Sequence, residues 1–170
     1  MQLHLMSTDV RSLINNVVEI LEPLAHIKQL QIVVDCSLAP QQVLTDTLRL
    51  QQIVTNLLSN AIRYTDLGKI QLTCQLFGDN HWAIAVSDTG RGIAPEDQVR
   101  IFEPFFRVGD HEQSYHPEST GLGLAIVARL VQLLQGKIEL VSQVEIGSTF
   151  TVILPLSVKT TEETMTRPIP

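Results

Sequence analysis

Asn56, Asn60 and Arg63 fall at intervals of four and three in the stretch 46–65, DTLRLQQIVTNLLSNAIRYT. At helical spacing they share one side with Arg49 and Gln52, and the two amides stack four residues apart. Leu50, Val54, Leu57, Leu58, Ala61 and Ile62 fall on the other side as an apolar stripe. Asn is a mediocre helix former, because its amide competes for backbone partners. Two of them beside an arginine point to a face aimed at something polar, a metal or phosphates. A solvated stripe is the plain alternative.

Two glycine-bearing segments follow. Asp88-Thr89-Gly90-Arg91-Gly92-Ile93 comes directly after a strand-like run. Glycines there allow close approach, and a strand-end carboxylate can accept a hydrogen bond from an exocyclic amine. A tight Asx turn is the alternative. Ser119-Thr120-Gly121-Leu122-Gly123-Leu124 precedes an apolar, helix-like run. Backbone N–H groups at a helix N-terminus attract anions, and glycines let a phosphate close in. No Gly-Lys-Ser/Thr follows, so this is not a Walker loop, and it lies outside a βαβ unit. Between the two segments stands IFEPFFR (101–107). Its phenylalanines read as a plug anchoring a loop, whereas Arg107 reads as a cation able to clamp a terminal phosphate.

The elements that must position these residues are readable in outline. A short edge strand is expected at 2–6, then a helix from Ser7–Asp9 to about Gln29 with a kink or break possible at Pro23. Strands are expected at 30–36, 70–77, 81–88, 137–143 and 148–156, with a brief pairing at Val43-Leu44. The Asn-bearing helix, a short helix at 95–101 and a helix at 120–135 capped by Gly136 complete the set. Residues 103–119 show no clean period, and such a stretch in a compact domain is often a lid. This pattern predicts an α+β two-layer sandwich, with three long helices over one face of a mixed, mostly antiparallel sheet. The folded domain is expected at 1–157 with a lid at about 103–120. A polar, disordered tail is expected at 158–170.

The chain has 170 residues, 44% of them apolar and 18% charged, enough for one domain with a real core. A net charge of −6 with no basic block argues against nucleic acid or anionic lipid as main partner. Apolar runs are short, so no transmembrane helix is expected, and the first residues lack a signal-peptide layout. Cys36 and Cys74 read as small buried residues in a reducing compartment.

Taken in order, the Asn helix, the strand-end Asp-x-Gly-x-Gly, the Phe-rich segment and the Gly-x-Gly before a helix resemble the ATP-binding catalytic domain of sensor histidine kinases. That family belongs to the superfamily of gyrase, Hsp90 and MutL. The likeness covers about residues 8–156, and the run 48–61 looks like the version found in hybrid sensor kinases. The resemblance implies the Bergerat ATP-binding fold, ATP and Mg²⁺ as ligands, and a role in two-component phosphorelay. It implies that Asn60 ligates Mg²⁺, that Asn56 positions the phosphates or the metal's water, and that Arg63 touches phosphate. Tyr64 corresponds to an aromatic lining the nucleotide. Asp88 would read the adenine amino group, with Gly90, Gly92 and Ile93 shaping that pocket. Thr120, Gly121, Leu122, Gly123 and Leu124 match the second glycine motif near the phosphates, and Thr149 is expected to complete the nucleotide site. Arg107 matches a lid arginine acting on the γ-phosphate. Ser119 departs from the pattern, where glycine is usual.

The superfamily's ATPases carry a Glu where this chain has Asn56, which favours transfer to an imidazole over hydrolysis. His4, His26, His81, His111 and His116 do not match the context of a phosphorylated histidine. The acceptor is therefore expected on a separate helical hairpin, with a response-regulator receiver domain as indirect partner. The domain alone is expected to be monomeric and cytoplasmic, whether its parent is free or membrane-anchored. A self-contained ATPase, a degenerate nucleotide-binding module and a Ser/Thr kinase of the anti-sigma type are the competing readings.

Overall fold

The computed structural model describes residues 2–108 and 120–159. Most of the lid (109–119, with His111, His116 and Ser119) and tail residues 160–170 lie outside the described residues.

The strands and helices run β1 (Leu5–Asp9), α1 (Val10–Ile27), β2 (Gln31–Leu38), β3 (Gln42–Asp46), α2 (Thr47–Tyr64), β4 (Lys69–Phe77), β5 (His81–Asp88), α3 (Pro95–Gln98), α4 (Gly123–Leu133), β6 (Lys137–Gln143) and β7 (Gly147–Pro155). The main sheet has the order β2-β4-β5-β7-β6. Within this sheet β2 and β4 pair in parallel, whereas β4–β5, β5–β7 and β6–β7 pair antiparallel. β1 and β3 form a separate two-stranded sheet, not an edge of the main one. Two-layer α+β architecture is thus the one the sequence pattern predicts.

The core lies between the main sheet and the helices. α2 buries Leu50, Ile53, Val54, Leu57, Leu58, Ala61 and Ile62, a stripe wide enough to meet α1, α4 and the sheet together. Strand alternation supplies the facing layer: Ile70 and Leu72 on β4, Trp82, Ile84 and Val86 on β5, and Phe150, Val152 and Leu154 on β7. Each such side chain contributes roughly 1.5–3 kcal/mol when fully buried.

Local chemistry sets the helix ends. Asp9 accepts from Ser12 N–H at the start of α1, and Asp46 from Arg49 N–H at the start of α2. Pro23 does not break α1, which continues to Ile27 with Pro23 exposed. At the far end of α2 no glycine cap is present. Lys28 Nζ instead donates to the carbonyls of Ile62 (2.8 Å) and Arg63 (3.0 Å), tying down the turn that carries Arg63 and Tyr64.

Several boundaries move. The helix expected at 95–101 holds only Pro95–Gln98. α4 starts at Gly123 rather than Thr120, and its left-handed closing residue is Gln135 (φ 61°), not Gly136. The folded part also runs past 157. Val158 is buried, its N–H donates to Leu44 O (2.9 Å), and Lys159 N–H donates to Gln135 Oε1 (3.1 Å). Cys74 is buried as expected, whereas Cys36 is only half-buried; both are free thiols. No helix among the described residues is long and apolar enough to cross a membrane.

Candidate nucleotide site

One cavity of about 270 Å³ opens between α2, the start of α4 and the ends of β5 and β7. Asn56, Asn60, Arg63 and Tyr64 from α2, Asp88, Gly92 and Ile93 from the first glycine segment, and Arg107 all line it. So do Thr120, Gly121, Leu122, Gly123 and Leu124 from the second. Residues as far apart in the chain as Asn56 and Leu124 are thereby brought together.

Asp88 sits where β5 ends. Burial pushes its carboxyl above the usual 3.8, and the backbone N–H groups of Gly90 and Ser148 pull it partly back. The Gly90 bond is 2.8 Å long and uses Oδ1. Gly90 itself does not line the cavity. It lies behind Asp88, where a Cβ would stand 2.5 Å from Tyr64 O and 2.8 Å from Asp88 Oδ1. Its role is close packing of the loop on the end of α2. Gly92 is left-handed (φ 68°), and a Cβ there would collide with Gln143 O.

At the other end of the cavity the Asn stripe meets the start of α4. A Cβ on Gly123 would stand 3.4 Å from Asn56 Oδ1 and 3.9 Å from Asn60 Oδ1. Asn56 Nδ2 donates back to Gln52 O (3.0 Å), which leaves its oxygen toward α4. Asn60 Oδ1 accepts from Arg63 Nη1 (3.2 Å). No side chain caps α4, so its first N–H groups are left without an intrahelical acceptor, beside the cavity that Gly123 and Leu124 line. Uncapped amides, Arg63 and Arg107 make this end suited to an anion.

The loop between the glycine segments is closed at its base. Phe105 N–H donates to Gly121 O (3.0 Å), and both residues are left-handed, with φ of 65° and 70°. A Cβ on Gly121 would come within 2.8 Å of Phe105 C. The phenylalanines divide. Phe102 packs edge-on to Phe150 (6.3 Å, 89°) and Phe106 lies under Arg100 (4.4 Å), whereas Phe105 is exposed. The plug expected of all three is made by two.

Thr149 does not belong to the cavity. Period-two alternation turns Ser148 and Phe150 inward, and Thr149 is left on the opposite face, bonded to Ser87 (2.8 Å). Ser148 takes its place. Sequence reading also passed over Arg91 and the apolar floor of Val86, Ile101, Phe106, Ile126 and Phe150. The inward set of β7 was available from the spacing of Phe150, Val152 and Leu154. Nothing in the sequence signalled Arg91.

The protein-family model of the histidine kinase-, DNA gyrase B- and HSP90-like ATPases matches residues 45–158. Sensor histidine kinase RcsC of Salmonella typhimurium is 41% identical over 149 residues, covering 86% of this chain and 15% of that protein. Virulence sensor protein BvgS of Bordetella bronchiseptica is 36% identical over 154 residues (88% and 12%). Sensor protein TorS of Escherichia coli is 41% identical over 121 residues (71% and 13%). The chain thus spans 12–15% of the length of these relatives. Among solved structures, full-length ShkA in complex with AMPPNP superposes with a TM-score of 0.81 at 32% identity, over 91% of this chain and 32% of that one. The catalytic domain of histidine kinase ThkA shares the fold (TM-score 0.77, 24% identity, 91% and 97% coverage). With both glycine segments and the Asn stripe gathered on one cavity inside the matched span, the chain belongs to the family of histidine kinase-, DNA gyrase B- and HSP90-like ATPases, as an ATPase domain of the sensor histidine kinase type.

Proposed function

We infer that this chain is the ATP- and Mg²⁺-binding catalytic part of a hybrid-type sensor histidine kinase, passing the γ-phosphoryl of ATP to a histidine on a helical hairpin outside this chain. The observation that carries the reading is that Asp88 and Asn60 line the same cavity, so one nucleotide can reach both. In this reading Asp88 accepts a hydrogen bond from the adenine amino group. Arg63, the α4 amides and the Gly121–Gly123 backbone receive the phosphates, and Arg107 neutralises charge on the γ-phosphoryl. The imidazole nitrogen bonds to Pγ as the bond from Pγ to the bridging oxygen breaks, and ADP leaves with that electron pair.

The donor set fits a magnesium ion that keeps phosphate and water ligands. Asn60 offers one neutral oxygen, and among the described residues no group of three or more His, Cys, Asp or Glu could hold a metal. When bound through Asn60, Mg²⁺ would supply positive charge that offsets the negative charge of the phosphates. Asn56 has an amide committed to Gln52 O and no basic atom. That supports transfer over hydrolysis. His4, His26 and His81 are exposed and do not line the cavity. A receiver domain as the next partner, no nucleic-acid partner, a monomeric domain and a cytoplasmic location, where ATP is supplied, complete the reading.

The test is transfer from radiolabelled ATP to a histidine hairpin of a related sensor kinase supplied in trans, beside a serine substrate. Label on the hairpin alone is expected. Label on serine, or release of phosphate without either acceptor, would contradict it. Arg107→Ala is expected to keep ATP affinity within about twofold of wild type while transfer falls by roughly 100-fold, in line with loss of a transition-state donor.

A further inference from the structure

Arg91, between the two glycines of the first segment, has no part in the roles above, yet it lines the cavity with Asp88 and Tyr64. Its position is fixed from both sides. Gly90 packs against Tyr64 O at the end of α2, and Gly92 packs against Gln143 at the β6–β7 turn. Arg91 O accepts from Glu145 N–H at 2.7 Å. So held, the guanidinium carbon lies 4.8 Å from the centroid of the Tyr64 ring. Among the described residues Arg91 makes no ion pair. A guanidinium over an aromatic face keeps its fork of N–H donors for a ligand beside the ring.

We propose that Arg91, held over Tyr64, is a nucleoside-binding residue that donates hydrogen bonds to acceptors on the base or ribose of the nucleotide whose amino group meets Asp88. The inference rests on the nucleotide reading of the cavity. It assigns Arg91 to the nucleoside and not to the phosphates because of position along α2. Arg91 lies over Tyr64, beside the Asp88 loop. Asn60 lies one helical turn earlier, about 6 Å along the axis, and Asn56 about 12 Å, where the Gly123 end begins. Arg63 adjoins Tyr64 in sequence, but its Nη1 reaches back to Asn60 Oδ1 (3.2 Å), so it serves the phosphate end. Arg91 therefore sets affinity for the half of the ligand that carries no charge.

The full chain is titrated calorimetrically with ATP, ADP and adenosine. Arg91→Ala is expected to weaken all three by the same factor, roughly threefold to tenfold, the size of one or two lost hydrogen bonds. Its melting temperature should match wild type, since Arg91 is exposed. Arg91→Lys keeps the charge without the planar fork, and is expected to stay weaker than wild type. Unchanged affinity in Arg91→Ala, a loss that grows with the number of phosphates, or full recovery by Arg91→Lys would each overturn the assignment. Failure of the wild-type chain to bind ATP or ADP would instead sink the nucleotide reading itself.

Discussion

Asp88 is the residue at which folding and ligand binding pull in opposite directions. Burial raises its pKa, so between the unfolded value near 3.8 and the higher folded value the native state holds more protons than the unfolded one. Stability therefore falls as pH rises through that window and is lowest where Asp88 is ionised. The ionised form is the better acceptor for an exocyclic amine. Asp88→Asn is expected to melt at or above the wild-type temperature at pH 7 and to weaken ATP binding more than tenfold, a loss of roughly 1.5–3 kcal/mol for a charged acceptor. Wild-type affinity should decline as pH falls toward the raised pKa, and the variant should lack that component; parallel calorimetry of the two across pH 4–8 checks both. At this scale the sequence was most legible where a residue type is chemically unusual for its place: an Asn pair on a helix, an Asp against glycines. Thr149 shows the limit. Ser148 and Thr149 are neighbours at the start of β7, and only the side taken by Phe150 tells which of them faces the cavity.

Elements place those residues through a few backbone contacts with little tolerance. Gly121 and Phe105 are joined by one hydrogen bond between two left-handed residues. Gly78 is also left-handed (φ 64°), but a Cβ there would meet nothing within 4 Å. The pair separates strain from collision. Gly78→Ala is expected to cost about 1 kcal/mol in urea unfolding, the conformational term alone. Gly121→Ala should cost at least about twice that and weaken ATP binding, because Phe105 must move; equal losses would contradict the tight approach described at Gly121. This contact also explains why α4 begins at Gly123. Residues 120–122 are spent on the contact with Phe105, so the helical pattern that reads from 120 starts late. The period of an apolar run marks an element, but it does not mark where a tertiary contact takes over its first turn.

Across the whole molecule, the two-layer architecture was legible because helical and strand periods alternate cleanly along the chain. Strand order was not, since the pairing of β5 with β7, from Asp88↔Ser148 to His81↔Pro155, joins residues far apart in the chain and no local pattern encodes it. The apolar floor of the cavity, built across that pairing, was hidden for the same reason. The C-terminal limit was misjudged because Val158 is one apolar residue in a polar stretch, and its burial depends on Leu44 far upstream. A chain ending at 157 is expected to be about 1–2 kcal/mol less stable than one ending at 159 by urea denaturation, from lost Val158 burial and its backbone hydrogen bond. Equal midpoints would show that the folded unit ends at 157.

The central claim is that a single cavity takes adenine at Asp88 and the metal-bound phosphates at Asn60. Calorimetric titration of the chain with AMPPNP, with and without Mg²⁺, tests it most directly when Asn60→Ala is run beside wild type. The account expects one site per chain, tighter with Mg²⁺ in the wild type, and a variant that binds weakly and gains nothing from the ion. An undiminished Mg²⁺ effect in Asn60→Ala, or no binding by the wild type, would contradict it.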